Sequence, residues 1–393
     1  MASDATEEDG LGLAIALHED LMLAGAPTHD GGLLDGNGNP ILDFNSGAAY
    51  LFKRSGDGAW TEVAKLVASD ASKNARFGNS VALMDSVAVV GAFLEGGNRG
   101  SGAAYVFEQQ PDGSWSETTK LSRDPYGFIN QFGYSVSASD GRLLIGAPKS
   151  GTNLTGAAFI YERQADGTWA ETAVLEGSDV TPGGAVGIAV SLSQGRALAG
   201  AKWDDTNARD SGSAYLFELQ EDGSWIEVAK LTASDGALTD YFGTSVSVHG
   251  NRAIVGAPEV DDLGILTGSA YVFERQADGT WAEVGELNPS DRAATHLYGT
   301  SVAIKGTTAL IGAPGEEPAR QASDHGAAYV FELRSGSWVE VAKLKASDLT
   351  HNDQLGIAVA LSGTYASVGV WQDDEAEDDA GAAYVFDITT LGQ

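Results

Sequence analysis

A seven-bladed, all-β propeller of four-stranded antiparallel blades is the fold this sequence predicts, and three features predict it. One unit near 55 residues long recurs from residue 11 to residue 386 of a 393-residue chain. Each copy holds short strand-like runs separated by glycine-containing turns. The copies leave no length for a second domain, so residues 1–393 read as one repeat domain. Four-stranded antiparallel sheets repeated radially form a propeller, with the innermost strands crowded around the axis.

The unit is clearest as YFGTSVSVHGNRAIVGAP followed by TGSAYVFERQADGTWAEVGEL, within residues 241–287. The aromatic or aliphatic residue before its first glycine falls at Leu11, Phe77, Phe132, Val186, Phe242, Tyr298 and Leu355. The intervals are 66, 55, 54, 56, 56 and 57 residues. Strand a is the SVSV-type run after that glycine, and its small residues suit the axis. A tight turn follows, as in SDGR at 139–142, HGNR at 249–252 and KGTT at 305–308. Strand b, of AIVGA type, is nearly all apolar, the pattern of a strand covered on both faces. Strand c is AYVF. The c–d turn carries Asp-Gly, as at Asp278-Gly279, where glycine supplies the positive φ of a two-residue hairpin. Strand d is WxEVAKL, and its six tryptophans read as core residues.

Strands a, b and c occur seven times, but strand d only six, at Trp60, Trp115, Trp169, Trp225, Trp281 and Trp338. The d–a connection ends in Ser-Asp or Arg-Asp, at Asp70, Asp124, Asp179, Asp235, Asp291 and Asp348, and Ser3-Asp4 is a seventh copy of that mark. The last blade is therefore expected to lack its outer strand unless residues 1–10 or 387–393 supply it. Such an unpaired edge is a point of association.

Phe132-Gly133 with Gly146-Ala147-Pro148, and Phe242-Gly243 with Gly256-Ala257-Pro258, resemble FG-GAP repeats. These are the units of the integrin α-subunit propeller and of many bacterial surface and secreted proteins. The resemblance covers residues 11 to 386 and implies a secreted or cell-surface propeller. In the integrin-type pattern, calcium loops of DxDxDGxxD form lie in the a–b hairpins of some blades. Here those hairpins are too short to hold one, so those sites do not carry over.

Acidic residues outnumber basic ones 55 to 23, a formal net charge of −32. A field of that sign repels phosphate backbones and anionic membrane surfaces, so no nucleic-acid partner is expected. There is no cysteine, hence neither a disulfide framework nor a thiolate metal site. No apolar run approaches the length of a membrane span, so no membrane insertion is expected. The first ten residues, MASDATEEDG, carry no basic-then-apolar leader, so a secreted or surface location would need one removed.

The long, irregular connections are b–c and d–a, which emerge on one face of a propeller, and binding residues generally sit on such loops. In the first b–c loop, DGNGNPILD places Asp35, Asn37, Asn39 and Asp43 at positions 1, 3, 5 and 9. Alternating oxygen ligands of that kind can wrap Ca2+. Pro40 stands at position 6, where a calcium loop wants glycine, and only two ligands are charged, so affinity would be weak, roughly 10⁻⁴–10⁻³ M. A polar Asx-turn loop is the alternative. Two other b–c loops pair tryptophan with carboxylates: Trp203, Asp204 and Asp205, and Trp371, Asp373 and Asp374. Such groups can stack on a sugar ring and bond its hydroxyls, or simply cover a blade joint. His29, His296, His325 and His351 share the loop face without the spacing of a ligand set.

There is no GxSxG elbow, HExxH, P-loop or RGD, and paired carboxylates cannot be picked from 55 acids without geometry. The expected function is a recognition or adhesion module that binds a glycan or protein through the b–c/d–a face. The alternatives are a propeller-type glycan hydrolase or lyase, and a structural subunit that self-associates through blade seven. A deep carboxylate- or histidine-lined hub would favour the enzyme. A hub filled by small residues would favour binding.

Overall fold

A computed structural model describes residues 2–30, 45–96, 100–123, 130–261, 266–292, 294–315, 325–349, 353–374, 377, 379–389 and 391. Blade five shows the plan. Strands a (Ser245–His249), b (Arg252–Ala257), c (Ser269–Arg275) and d (Trp281–Leu287) pair antiparallel in that order. Blades one to six are four-stranded sheets of this kind. Blade seven has three strands among the described residues: a (Leu355–Leu361), b (Tyr365–Val370) and c (Ala382–Asp387). The seven-bladed fold and the incomplete last blade are as the repeat count predicts.

Strand b after Arg252 and the first five residues of strand c are buried in blade five, which is why those runs carry no polar alternation. The core is divided among the joints between blades. Leu198, Leu216 and Leu231 of blade four pack with Phe242, Val246 and Val248 of blade five. Each such side chain contributes about 1.5–3 kcal/mol through burial.

The recurring glycines form the seam of the ring. In blade five, the Gly243 amide donates to the Gly256 carbonyl at 3.0 Å. Gly256 in turn backs onto the Gly299 carbonyl of blade six, so closely that a Cβ would overlap the oxygen. The same contact joins Gly25 to Gly78, Gly91 to Gly133, Gly146 to Gly187, Gly200 to Gly243 and Gly312 to Gly356. Gly369 against Gly12 closes the circle. Only a residue without a side chain lets two backbones approach this far. Strand-a serines add a clasp across the seam: Ser245 Oγ donates to the Gly299 carbonyl at 2.8 Å, and Ser301 Oγ to that of Gly356 at 2.8 Å.

Strand d behaves differently because one of its faces meets water. Its tryptophans, expected in the core, are half-buried, Trp169 alone being buried at 8 % exposure. In all six copies the c–d register slips by one residue, leaving the residue after the glutamate as a bulge, for example Val284 between Glu283 and Gly285. A bulge and charges on the outermost strand blunt edge-to-edge pairing. Strand d is also tied to the preceding connector. Ser234 donates its amide and hydroxyl to Glu283, both at 2.9 Å, and Ser3 makes the same pair of bonds to Glu62 at 2.8 and 2.9 Å.

Candidate functional site

Strand a of every blade faces the axis, where the residues after the seam glycines (Leu13, Asn79, Tyr134, Ile188, Thr244, Thr300 and Ile357) ring an opening of about 420 Å³. The rest of its lining is Ala, Ser, Val, Ile and Asn79's neighbours of the same strands, with no carboxylate, histidine, lysine or arginine among them. The serines there are already engaged. Ser80 Oγ donates to the Gly133 carbonyl at 2.9 Å and Ser135 Oγ to that of Gly187 at 2.8 Å, as Ser245 and Ser301 do across their own seams. Among the described residues, the lining of the hub carries no charged side chain.

The charged chemistry lies further out, under the b–c loops. The third residue after strand b is His29, Glu95, Asp204 and Asp373 in blades one, two, four and seven. In each, its carbonyl accepts from the glycine that precedes strand c: Gly47, Gly102, Gly212 and Gly381 respectively. Its side chain meets strand c, strand d or both. His29 lies 2.8 Å from Lys65 and 2.9 Å from buried Asp9, Glu95 pairs with Lys120 at 3.1 Å, and Asp373 accepts from Tyr384 at 2.9 Å.

Asp204 is the fullest case. It is 0 % exposed and takes hydrogen bonds from the Thr181 amide (2.9 Å) and hydroxyl (2.8 Å), Thr206 (2.8 Å), Ser213 (2.7 Å) and Tyr215 (3.1 Å). Lys230 sits 3.0 Å away. Burial pushes this carboxyl up, but the donors outweigh it and hold the group well below the usual carboxylate range. The carboxylates of Asp204 and Asp373 are thus internal braces that fasten a loop to its blade, and the structure does not bring them to the surface.

The other sequence-selected residues are placed as follows. Trp371 covers the joint between blades seven and one: its indole lies against Gly10, with no room there for a side chain. Exposed Asp374 accepts from the Asp379 amide at 2.9 Å. Trp203 and exposed Asp205 lie on the loop face of blade four, so the two tryptophan loops sit in separate blades and do not form one site. Asp35, Asn37, Asn39 and Asp43, and His351, lie outside the described residues. His296 is buried beside Asp291. No group of three or more metal-ligating side chains occurs among the described residues.

Around Trp203 the structure assembles a cluster that sequence reasoning missed. Lys202 Nζ lies 4.7 Å from the Trp203 ring centroid and 5.9 Å from that of Tyr241, which enters from the d–a connection of blade five. Burial pushes the Lys202 amine down, and Glu259, from the next b–c loop, partly opposes that shift. Glu259 is itself pushed up by burial, with Lys202 acting against it. Two half-buried aromatic rings, a cation and a nearby carboxylate, Glu259, make a patch able to stack on a ring and bond its polar edge. The sequence held a signal: Lys202 stands where four other repeats have Pro27, Pro148, Pro258 and Pro314.

A family model described as FG-GAP repeat matches residues 60–107, 115–161, 169–217, 225–273, 281–331 and 338–386, well over half of the chain. No curated protein matches it. Each matched segment starts at the tryptophan of strand d and ends in strand c of the following blade. The sequence repeat is therefore offset by one strand from the blade, and every copy spans a joint.

Proposed function

We propose that this chain, which belongs to the FG-GAP repeat family, is a non-enzymatic recognition module, secreted or held at a cell surface, that binds a glycan or protein through its b–c/d–a face. The observation that carries this reading is the axial opening, whose described lining holds no carboxylate, histidine, lysine or arginine. A propeller hydrolase or lyase working at the hub would need carboxylates or histidines there. The patch of Lys202, Trp203, Tyr241 and Glu259 supports the loop face as the working surface. It mixes stacking area with charge, as carbohydrate and peptide sites do.

Binding is tested by screening the purified protein on glycan and matrix-protein arrays, with and without Ca2+. For the ligand found, Trp203→Ala should weaken binding about tenfold or more, the loss of roughly 1.4 kcal/mol. Asp57→Ala, on an outer hairpin of the opposite face, should leave it unchanged. Equal loss from both variants, or none from Trp203→Ala, would remove the patch from the binding surface. The calcium arms also examine Asp35 with Asp43. If Ca2+ organises that loop for recognition, Asp35→Ala with Asp43→Ala will abolish any Ca2+-dependent gain in binding.

A further inference from the structure

The hairpin face, opposite the b–c/d–a face, carries arginine–glutamate pairs set by strand register. Strand b opens with Arg142, Arg196 and Arg252 in blades three, four and five, each directly across from a strand-c glutamate: Glu162, Glu218 and Glu274. Each arginine donates its Nε to that glutamate, as Arg196 does to Glu218 at 2.9 Å. The last residue of strand c then decides whether the joint to the preceding blade is filled. In blade three it is Arg163, which crosses to Glu108 of blade two at 2.6 Å. In blade five it is Arg275, which crosses to Glu218 of blade four at 3.1 Å. Blade four ends strand c with Leu219, which has no charge to send across.

The joint between blades three and four therefore stays open as a cavity of about 510 Å³, lined by Asp140, Arg142, Gln194, Arg196, Glu218 and Leu219. Small-molecule sites commonly occupy roughly 300–1,000 Å³. The walls are braced, since the Gln194 amide donates to Asp140 at 3.1 Å and the Leu219 amide to the Gly195 carbonyl at 2.9 Å. Both guanidiniums are half-buried, and among the described residues their terminal nitrogens have no protein partner. An arginine that has spent only its Nε keeps a planar fork of donors that matches both oxygens of a carboxylate.

Among the described residues, no other joint offers this pair. Between blades four and five, Arg196 and Arg252 flank a space that Arg275 already enters. Between blades five and six, strand b of blade six opens with Thr308, and Arg252 spends its Nη1 on the Gly306 carbonyl at 3.2 Å.

We propose that the cavity between blades three and four binds a small dicarboxylate. One carboxylate pairs with Arg142, the other with Arg196, and the carbon chain between them lies over Leu219. The guanidiniums of Arg142, Arg196 and Arg275 balance the carboxylates of Asp140, Glu162 and Glu218, so the immediate surroundings do not repel an anion. A long polyanion would extend into the field of a chain with net charge −32, which restricts the ligand to a small one. The site lies on the opposite face from the Lys202 and Trp203 patch and does not depend on it.

The test titrates the protein calorimetrically with the sodium salts of malonate, succinate, glutarate and adipate in turn. The best-fitting member should bind saturably, about tenfold or more tighter than acetate, which can meet only one guanidinium. Arg196→Gln should weaken that binding about tenfold or more, while Glu218 keeps Arg275 as its partner. Leu219→Arg should abolish it, because the new guanidinium fills the cavity as Arg163 and Arg275 fill the joints on either side. That second variant copies a joint the fold already uses, so it keeps the test valid if Arg196→Gln folds poorly. No dicarboxylate binding above that of acetate, or binding that Leu219→Arg leaves intact, overturns the proposal. So does saturable binding of agmatine in place of the dicarboxylates, since the cavity would then take the cation that Leu219 fails to supply.

Discussion

Gly256→Ala is expected to destabilise the propeller by more than about 4 kcal/mol, or to prevent recovery of soluble protein. The new methyl group would overlap the Gly299 carbonyl oxygen, and its next neighbour is the Ser245 hydroxyl of the seam clasp. A clash with a side chain is relieved by a change of rotamer. A clash with backbone moves a whole blade, and in a closed ring that displacement is carried to every other joint. Gly285→Ala is the control. Gly285 lies in strand d of the same blade with nothing within 4 Å of a Cβ, and no positive φ. Alanine there should be neutral or stabilise by up to about 1 kcal/mol by restricting the unfolded chain. Denaturant midpoints and soluble yields of the two variants measure the contrast. A Gly256→Ala protein that unfolds at the wild-type midpoint would show that the seam is not close-packed.

Asp204→Ala should cost about 3–5 kcal/mol, although the residue was selected from the sequence as a ligand contact. Removal leaves the Thr181 amide, four side-chain hydroxyls and Lys230 without their shared acceptor in a buried space. The neighbouring Asp205→Ala, at an exposed carboxylate, should change stability by no more than about 0.5 kcal/mol. The acid dependence has a definite sign. The folded carboxyl is held below its ordinary range, so its stabilisation is complete above the unfolded value of about 3.9 and is lost as pH falls through the folded value. The stability gap between wild type and Asp204→Ala should therefore be constant near neutrality and narrow below about pH 4. Urea unfolding of both proteins at pH 7, 5 and 3 measures it. A gap of less than 1 kcal/mol at pH 7 would refute the brace.

The fold was legible because backbone geometry repeats with the sequence. A glycine is demanded at every seam, and seven Phe-Gly-type openings count seven joints. The unfinished blade was legible for the same reason, since a missing Trp-x-Glu run is a missing strand. The site was less so. Asp204 and Asp205 are adjacent letters, yet one points into the joint and the other into solvent, and only the path of the b–c loop decides which. Trp203 and Trp371 looked alike in sequence but sit one position apart relative to strand b, so one joins a surface patch while the other lies against Gly10. Tyr241 and Glu259 reach Lys202 from the neighbouring blade, a proximity that no spacing along the chain encodes.

The outer hairpins carry one last consequence. Asp57, Asp112, Asp166, Asp222 and Asp278 each precede a positive-φ glycine and accept from the amide two residues on. Five blades thus present the same corner, pointing outward from a rigid disc. Anything that recognises one corner meets it again at the next blade, so even a weak monovalent binder of this motif gains strength when it carries two arms whose linker spans the gap. The rim is a natural scaffold for avidity, and loops grafted at these five turns would be displayed as an array fixed in number and spacing.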